Sequence, residues 1–340
     1  MNLETLTAIY AGNVSIGYGA LIASVAALSS WLITFSLVTS TEGEEVSVSR
    51  NVRRIVSLVL YLLLFVLLGG AFGRLIQWYS HFEVYGSFGN AFKEMVGSYH
   101  EAGMILGFVL AAFFASLICE TEDRKKFFFA SAVGQMLFMT LVSLVSLFNT
   151  SDRGKAVITD PSYQRLPFSV LTQTVTGDME YRTAVFFWKF TALLLITFLS
   201  FIFYFAKKSV LYTYVCYFSA MALLDSARYD ASFLRSNGFV SLMQIVAAVF
   251  LIVSVIVSLA SSIKANGFKA WHILSILAFL SGLGLTIYME YYVQRHGDKY
   301  VFCYLIMALA CTLMALSVIL TYGSRNLPEK IARKERKSGN

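Results

Sequence analysis

Nine stretches of this chain each run for about twenty residues with scarcely a charge, and nearly every ionisable side chain falls between them. An α-helix rising about 1.5 Å per residue needs roughly 20 apolar residues to cross the hydrocarbon core of a bilayer. No water is available there, so each backbone segment has to satisfy its own hydrogen bonds, and consecutive helices are the economical solution. The segments run 18–38, 55–79, 101–119, 127–149, 184–206, 209–225, 239–261, 270–292 and 300–322, of which the sixth is short. The fold class expected is therefore all-α: a polytopic transmembrane helical bundle of about nine helices. At 57% hydrophobic and 14% charged residues, the composition excludes an ordinary soluble domain of this length. Three prolines leave little room for a long extended linker.

The positive charges are spread unevenly between alternate loops. Sixteen Lys and Arg lie in the loops after segments 1, 3, 5 and 7 and in the tail, against nine in the other loops. By the positive-inside rule the N-terminus is outside and the C-terminus in the cytoplasm. The basic tail, with Lys330, Arg333, Lys334, Arg336 and Lys337, then anchors on anionic lipid. A net charge of +7 could suggest nucleic acid, but the bases are dispersed through short loops as membrane topology requires, so no nucleic-acid partner is expected. The start of the chain carries Glu4 and no basic run, so a cleavable signal peptide is not expected and the first helix serves as its own insertion signal. Cys119, Cys216, Cys303 and Cys311 show no CxxC or Cys/His spacing, so they read as small buried hydrophobes. Neither a metal nor a cofactor is expected.

Ionisable groups at membrane depth cost about 2.5–3.5 kcal/mol each on insertion scales and require a reason. Here they are Arg74, His100, Lys189, Asp225, Arg228 and Glu290, with Tyr18 and Gln244 as polar companions. Threaded through the topology, all eight come to the outer leaflet. Some of this is ordinary: Arg and Lys near helix ends snorkel to head groups, and Asp225 to Asp230 could form a local ion pair closing a turn. Cations beside a histidine nevertheless suit an anionic phospholipid head group and proton transfer. The longest loop, roughly 150–183, lies on the same side and contains Pro161, Pro167 and Asp178-Met179-Glu180. Loops of that length usually either carry function or are simply mobile.

Several of these residues lie in familiar surroundings. Asn13 to Ile22, with Val14-Ser15-Ile16 leading into Tyr18-Gly19-Ala20-Leu21, resembles the opening of prolipoprotein diacylglyceryl transferases. Gly69 to Leu75, ending Gly73-Arg74-Leu75, is similar to that family's Gly-Ala-Arg-Leu segment, and Gly97-Ser98-Tyr99-His100-Glu101 to its Ser-Phe-His-Gly-Gly. Leu166-Pro167-Phe168 resembles a Pro-Phe element in the long outer loop. Asp225 to Asp230, followed by Gly238 to Gln244, resembles the family's Glu-x-x-Arg-x-Asp and downstream Gln, and Phe233 to Val240 fits a divergent Gram-positive branch. The likeness runs in order over residues 10–262 and implies a seven-helix domain there. Residues 263–322 then add two helices, and 323–340 form the basic cytoplasmic tail. One departure is conspicuous. Where the family has Gly-Arg-x-Gly-Asn-Phe at the end of helix 4, this chain has Ser143, Val145 and Ser146, and a serine cannot grip phosphate as guanidinium does.

The resemblance implies an enzyme of the bacterial cytoplasmic membrane. It would move a diacylglyceryl group from phosphatidylglycerol to the lipobox cysteine thiol of an exported prolipoprotein, releasing glycerol phosphate. His100 would transfer the proton and Arg228 would clamp the phosphate. Tyr18, Arg74, Lys189, Asp225, Gln244 and Glu290 would hold the lipid head group, with Ser143 and Ser146 as the degenerate motif positions. The rival reading is a non-catalytic protein on the same scaffold, binding phospholipid or a signal peptide without turnover. A transporter is disfavoured, because transporter sites lie near the midplane rather than at one leaflet.

Overall fold

The computed structural model describes residues 8–11, 14–40, 47–82, 86–90, 98–173, 177–231, 240–296 and 299–325. The basic tail and most of the Phe233 to Val240 motif lie outside them. A two-stranded hairpin, β1 (Ala8–Ala11) with β2 (Val14–Gly17), leads into α1 (Tyr18–Thr39). Then follow α2 (Val48–Ser80), α3 (Glu101–Ser116) and α4 (Thr121–Ser143), the last continued by a 3-10 turn over Leu144–Leu147. A second hairpin, β3 (Ser169–Gln173) with β4 (Met179–Thr183), occupies the longest loop. The remaining helices are α5 (Val185–Phe205), α6 (Val210–Ser226), α7 (Leu242–Asn266), α8 (Ala270–His296) and α9 (Tyr300–Ser324).

Among the described residues, seven helices are long and apolar enough to cross a membrane: α1, α2, α4, α5, α7, α8 and α9. α3 and α6 are apolar but shorter, at 16 and 17 residues. The chain is thus a helical, multi-pass membrane protein by the length and composition of its helices. α2 and α4 begin earlier than hydropathy suggests. Ser47 caps α2 by accepting the Arg50 amide at 3.3 Å, so the basic run Arg50 to Arg54 is helical rather than loop. α4 opens with Glu122 and Asp123 in its first turn, where carboxylates suit the positive end of the helix dipole.

The chain divides into two compact units. The first holds α1 to α5 with residues 227–232; the second holds most of α6, from Tyr214, with α7, α8 and α9. In the first, α4 is the central helix, with 78% of its apolar window buried, more than any other of the seven. α1, α3 and α5 pack on it, and α2 packs chiefly on α3. Small residues set the α2–α3 approach. A Cβ at Gly103 would fall on the Phe72 carbonyl and one at Gly107 on that of Leu68, so the backbones touch where only glycine fits. Beside this seam Phe65 and Phe108 stack with centroids 3.8 Å apart, and Phe138 meets both edge-on. Apolar side chains of α2 such as Val59, Leu63, Val66 and Leu67 point out of the unit, as a lipid-facing stripe does. In the second unit α7, α8 and α9 pack together, again with glycine at a close contact, Gly282 against the Ala310 carbonyl.

Candidate functional site

Most of the buried charges of the first unit gather where α3 and α5 begin and α4 ends. Lys189, one turn into α5, lies against Glu101, the first residue of α3, and 3.1 Å from Asp152 Oδ2. Arg228 approaches Asp152 Oδ1 with Nε at 2.8 Å, Glu101 Oε1 with Nη1 at 3.8 Å and Asp230 Oδ2 with Nη2 at 3.1 Å. Asp152 also accepts from Ser146 Oγ at 3.1 Å, and its amide donates to Asp230 Oδ2 at 3.1 Å. Lys189, Glu101 and Asp152 are each at least 95% buried. Ions so far from water persist only where opposite charges and hydrogen bonds surround them.

The long loop supplies this geometry. Asp152 has φ +56°, a left-handed turn that aspartate tolerates better than most residues. Just beyond it Gly154 forms an isolated bridge with Arg228. The Lys155 amide donates to the Ala227 carbonyl and the Tyr229 amide to the Arg153 carbonyl. Those bonds carry Arg228 and Asp230 onto the end of α4. Burial pushes the Asp152 carboxyl up, but Arg228 and then Lys189 outweigh it and hold the group well below the usual carboxylate range.

Arg153 is a cation that sequence reasoning missed. Its Nη2 donates to the Asn149 carbonyl at 2.6 Å and its guanidinium lies 4.7 Å from the Phe186 ring centroid. Its Nε and Nη1 are buried without a hydrogen-bond partner. Burial lowers its pKa from the ordinary arginine value. His100 precedes α3, donates its amide to the Gly73 carbonyl at 3.0 Å, and leaves Nδ1 buried without a partner. It immediately precedes Glu101 in the chain, and Glu101 and Arg228 both lie within electrostatic range of its ring.

The other sequence-selected residues separate. Arg74 Nη2 reaches the Tyr99 hydroxyl at 3.4 Å and the guanidinium lies 5.3 Å from that ring's centroid. Tyr18 stacks on Phe148 at 5.2 Å. Ser143 Oγ donates to the Thr140 carbonyl of its own helix at 2.6 Å, whereas Ser146 belongs to the ion network. Asp225, Gln244 and Glu290 form a cluster within the second unit. Asp225 accepts from Ser241, and Glu290 accepts from Ser226 and, at 3.0 Å, from Gln244 Nε2. Gln244 also completes a capping box with Ser241 at the start of α7. The pattern Asp225 to Asp230 is therefore split: Arg228 pairs locally with Asp230, while Asp225 bonds to the head of α7.

Two cations of the network, Lys189 and Arg228, face three carboxylates, Glu101, Asp152 and Asp230, and Arg153 lies within electrostatic range of Asp152 and Asp230 without pairing with either. Neither Glu101 nor Asp152 is among the residues the sequence singles out. Glu101 had a signal, since a carboxylate opening an apolar helix requires a counter-ion; Asp152, in a loop, had none. Among the described residues no group of three or more His, Cys, Asp or Glu is placed to hold a metal ion. No family model matches the chain, and neither a curated protein nor a solved structure matches it.

Proposed function

We propose that this chain is a multi-pass protein of the bacterial cytoplasmic membrane, N-terminus outside, that binds a phospholipid head group at the outer leaflet without turning it over. The balance of charge in the Glu101–Asp152–Lys189–Arg228 network carries this reading. Expelling glycerol phosphate needs uncompensated positive charge where the leaving group's charge develops. Here Glu101 and Asp152 already hold the two cations that would supply it, and Ser143 bonds only to its own helix. A polar head group such as that of phosphatidylglycerol could still be held by polar atoms the network leaves unspent, Nε and Nη1 of Arg153 and Nδ1 of His100.

A second reading, the diacylglyceryl transfer that the motifs resemble, is favoured by those same two groups. Arg153 would replace the cation missing at Ser143. His100 Nδ1 would take the proton of the lipobox thiol as the carbon–sulfur bond forms and the carbon–oxygen bond to glycerol phosphate breaks. Transfer from radiolabelled phosphatidylglycerol to a lipobox peptide, measured with the purified protein in detergent, separates the two. We expect retained lipid and no labelled peptide. Turnover that requires the peptide cysteine, and that is lost in His100→Gln and Arg228→Ala, would establish the transferase instead.

A further inference from the structure

At the opposite end of the first unit from the ion network, a cavity of about 590 Å³ opens between the end of α1, the starts of α2 and α4, and the end of α5. Its wall carries six basic side chains against two carboxylates. Arg50 and Arg54 both grip Asp123, each with two nitrogens at 2.7–2.9 Å, so that one carboxylate is shared by two guanidiniums. Lys126 closes the α1 terminus by donating to the Val38 carbonyl at 3.1 Å. Lys125, Lys207 and Lys208 stand exposed at the rim, with no carboxylate partner among the described residues.

Two further features point to an occupant. Arg54 is 97% buried, yet its Nη1 has no hydrogen-bond partner. A buried guanidinium nitrogen left unpaired costs more than a made bond contributes; Arg54 lines the cavity, and a small turn of its guanidinium would bring that nitrogen to a phosphate oxygen seated there. The remaining wall is aromatic: Phe129 and Tyr204 meet edge-on, and Phe205 beside them is 70% exposed. Aromatic side chains at a helix end with bases above them match the boundary between acyl chains and head groups.

We infer that this cavity is a second lipid site, holding the phosphate of an anionic glycerophospholipid in the leaflet its end of the bundle reaches. The acyl chains lie outside against Phe205. Lys207 and Lys208 provide the long-range attraction, and Arg54 the hydrogen bond that distinguishes a seated phosphate from a diffuse counter-ion. The site is independent of the function proposed above, since no residue is shared between them. Glu42, Glu44 and Glu45 follow Ser40 in the chain and lie outside the described residues. The test therefore uses the full chain, in which they are present to compete.

The full-length protein is exchanged into nanodiscs of phosphatidylglycerol and phosphatidylcholine, released in the gas phase, and its retained lipids counted by native mass spectrometry. We expect preferential retention of phosphatidylglycerol. Each surface lysine is worth about fivefold for an anionic head group, so Lys207→Ala/Lys208→Ala should weaken the lipid held at this site about 25-fold and leave any held beside Arg153 in place. Both lysines are exposed, so the fold is not at risk. The matched double variant Lys264→Ala/Lys269→Ala removes the same charge from exposed positions in the second unit and should change nothing. Equal retention of the two lipids, or an equal loss in both double variants, would overturn the site. Inorganic phosphate that binds as tightly in lipid-free detergent would show a soluble anion site and overturn the lipid assignment.

Discussion

Lys189 and Glu101 face each other in a place neither could occupy alone, since each ion taken out of water costs several kcal/mol that only its partner offsets. Lys189→Met would leave Glu101 and Asp152 sharing Arg228. We expect it to lower stability by about 3 kcal/mol, read as a fall in the Tm of the detergent-solubilised protein. Glu101→Leu/Lys189→Met removes both charges and leaves Asp152 with Arg228, so most of that loss should return. Additive losses in a double-mutant cycle would refute the pairing. At this scale the sequence shows one side of each interaction. Lys189, Arg228 and His100 stand out because they are polar in apolar surroundings, and asking every such cation for a neighbouring anion leads to Glu101. Nothing local marks Asp152 or Arg153. They become partners of distant residues only because the chain around Gly154 pairs with Arg228, a contact made in three dimensions.

The contact between α2 and α3 decides where His100 and Glu101 stand, because both lie at the head of α3 and the His100 amide bonds to Gly73 of α2. Gly107→Leu puts atoms on the Leu68 carbonyl and must part the helices. Overpacking of this kind costs about 1–3 kcal/mol, and here it should also displace the ion network, lowering Tm and lipid retention together. Gly70→Ala, whose new methyl group would find its nearest neighbour 4.0 Å away at Tyr99, should leave both unchanged. Loss of stability in Gly70→Ala with none in Gly107→Leu would contradict the packing. Apolar length makes helices of this kind legible, yet it misplaces their beginnings. Arg50 to Arg54 count as loop by hydropathy, although Ser47 caps them and Asp123 neutralises them as helix. The β3–β4 hairpin is illegible for a different reason. Its strands are only five residues long, too short for their pattern to stand out, and they pair because the loop is anchored at Ala156 and Phe168 to β4 and the residue following it.

Across the whole molecule, the unequal sharing of Lys and Arg between alternate loops sets which way the helices run. That direction decides whether the Glu101–Lys189 network meets the outer leaflet, so it can be tested without reference to any activity. α4 with its 3-10 extension spans 27 residues, about 40 Å, enough to separate its ends by more than the roughly 30 Å hydrocarbon core. The native thiols make labelling clean: Cys119, Cys303 and Cys311 are buried and Cys216 is half-buried. Glu122→Cys marks the exposed first turn of α4, and Ser162→Cys marks the exposed loop beyond its end. In intact cells a membrane-impermeant maleimide should modify Ser162→Cys at once and Glu122→Cys only after permeabilisation. The reverse pattern would move the ion network to the cytoplasmic leaflet, where an exported prolipoprotein cysteine is out of reach. Labelling of both without permeabilisation would mean that α4, for all its apolar length, packs inside the protein and never crosses the membrane.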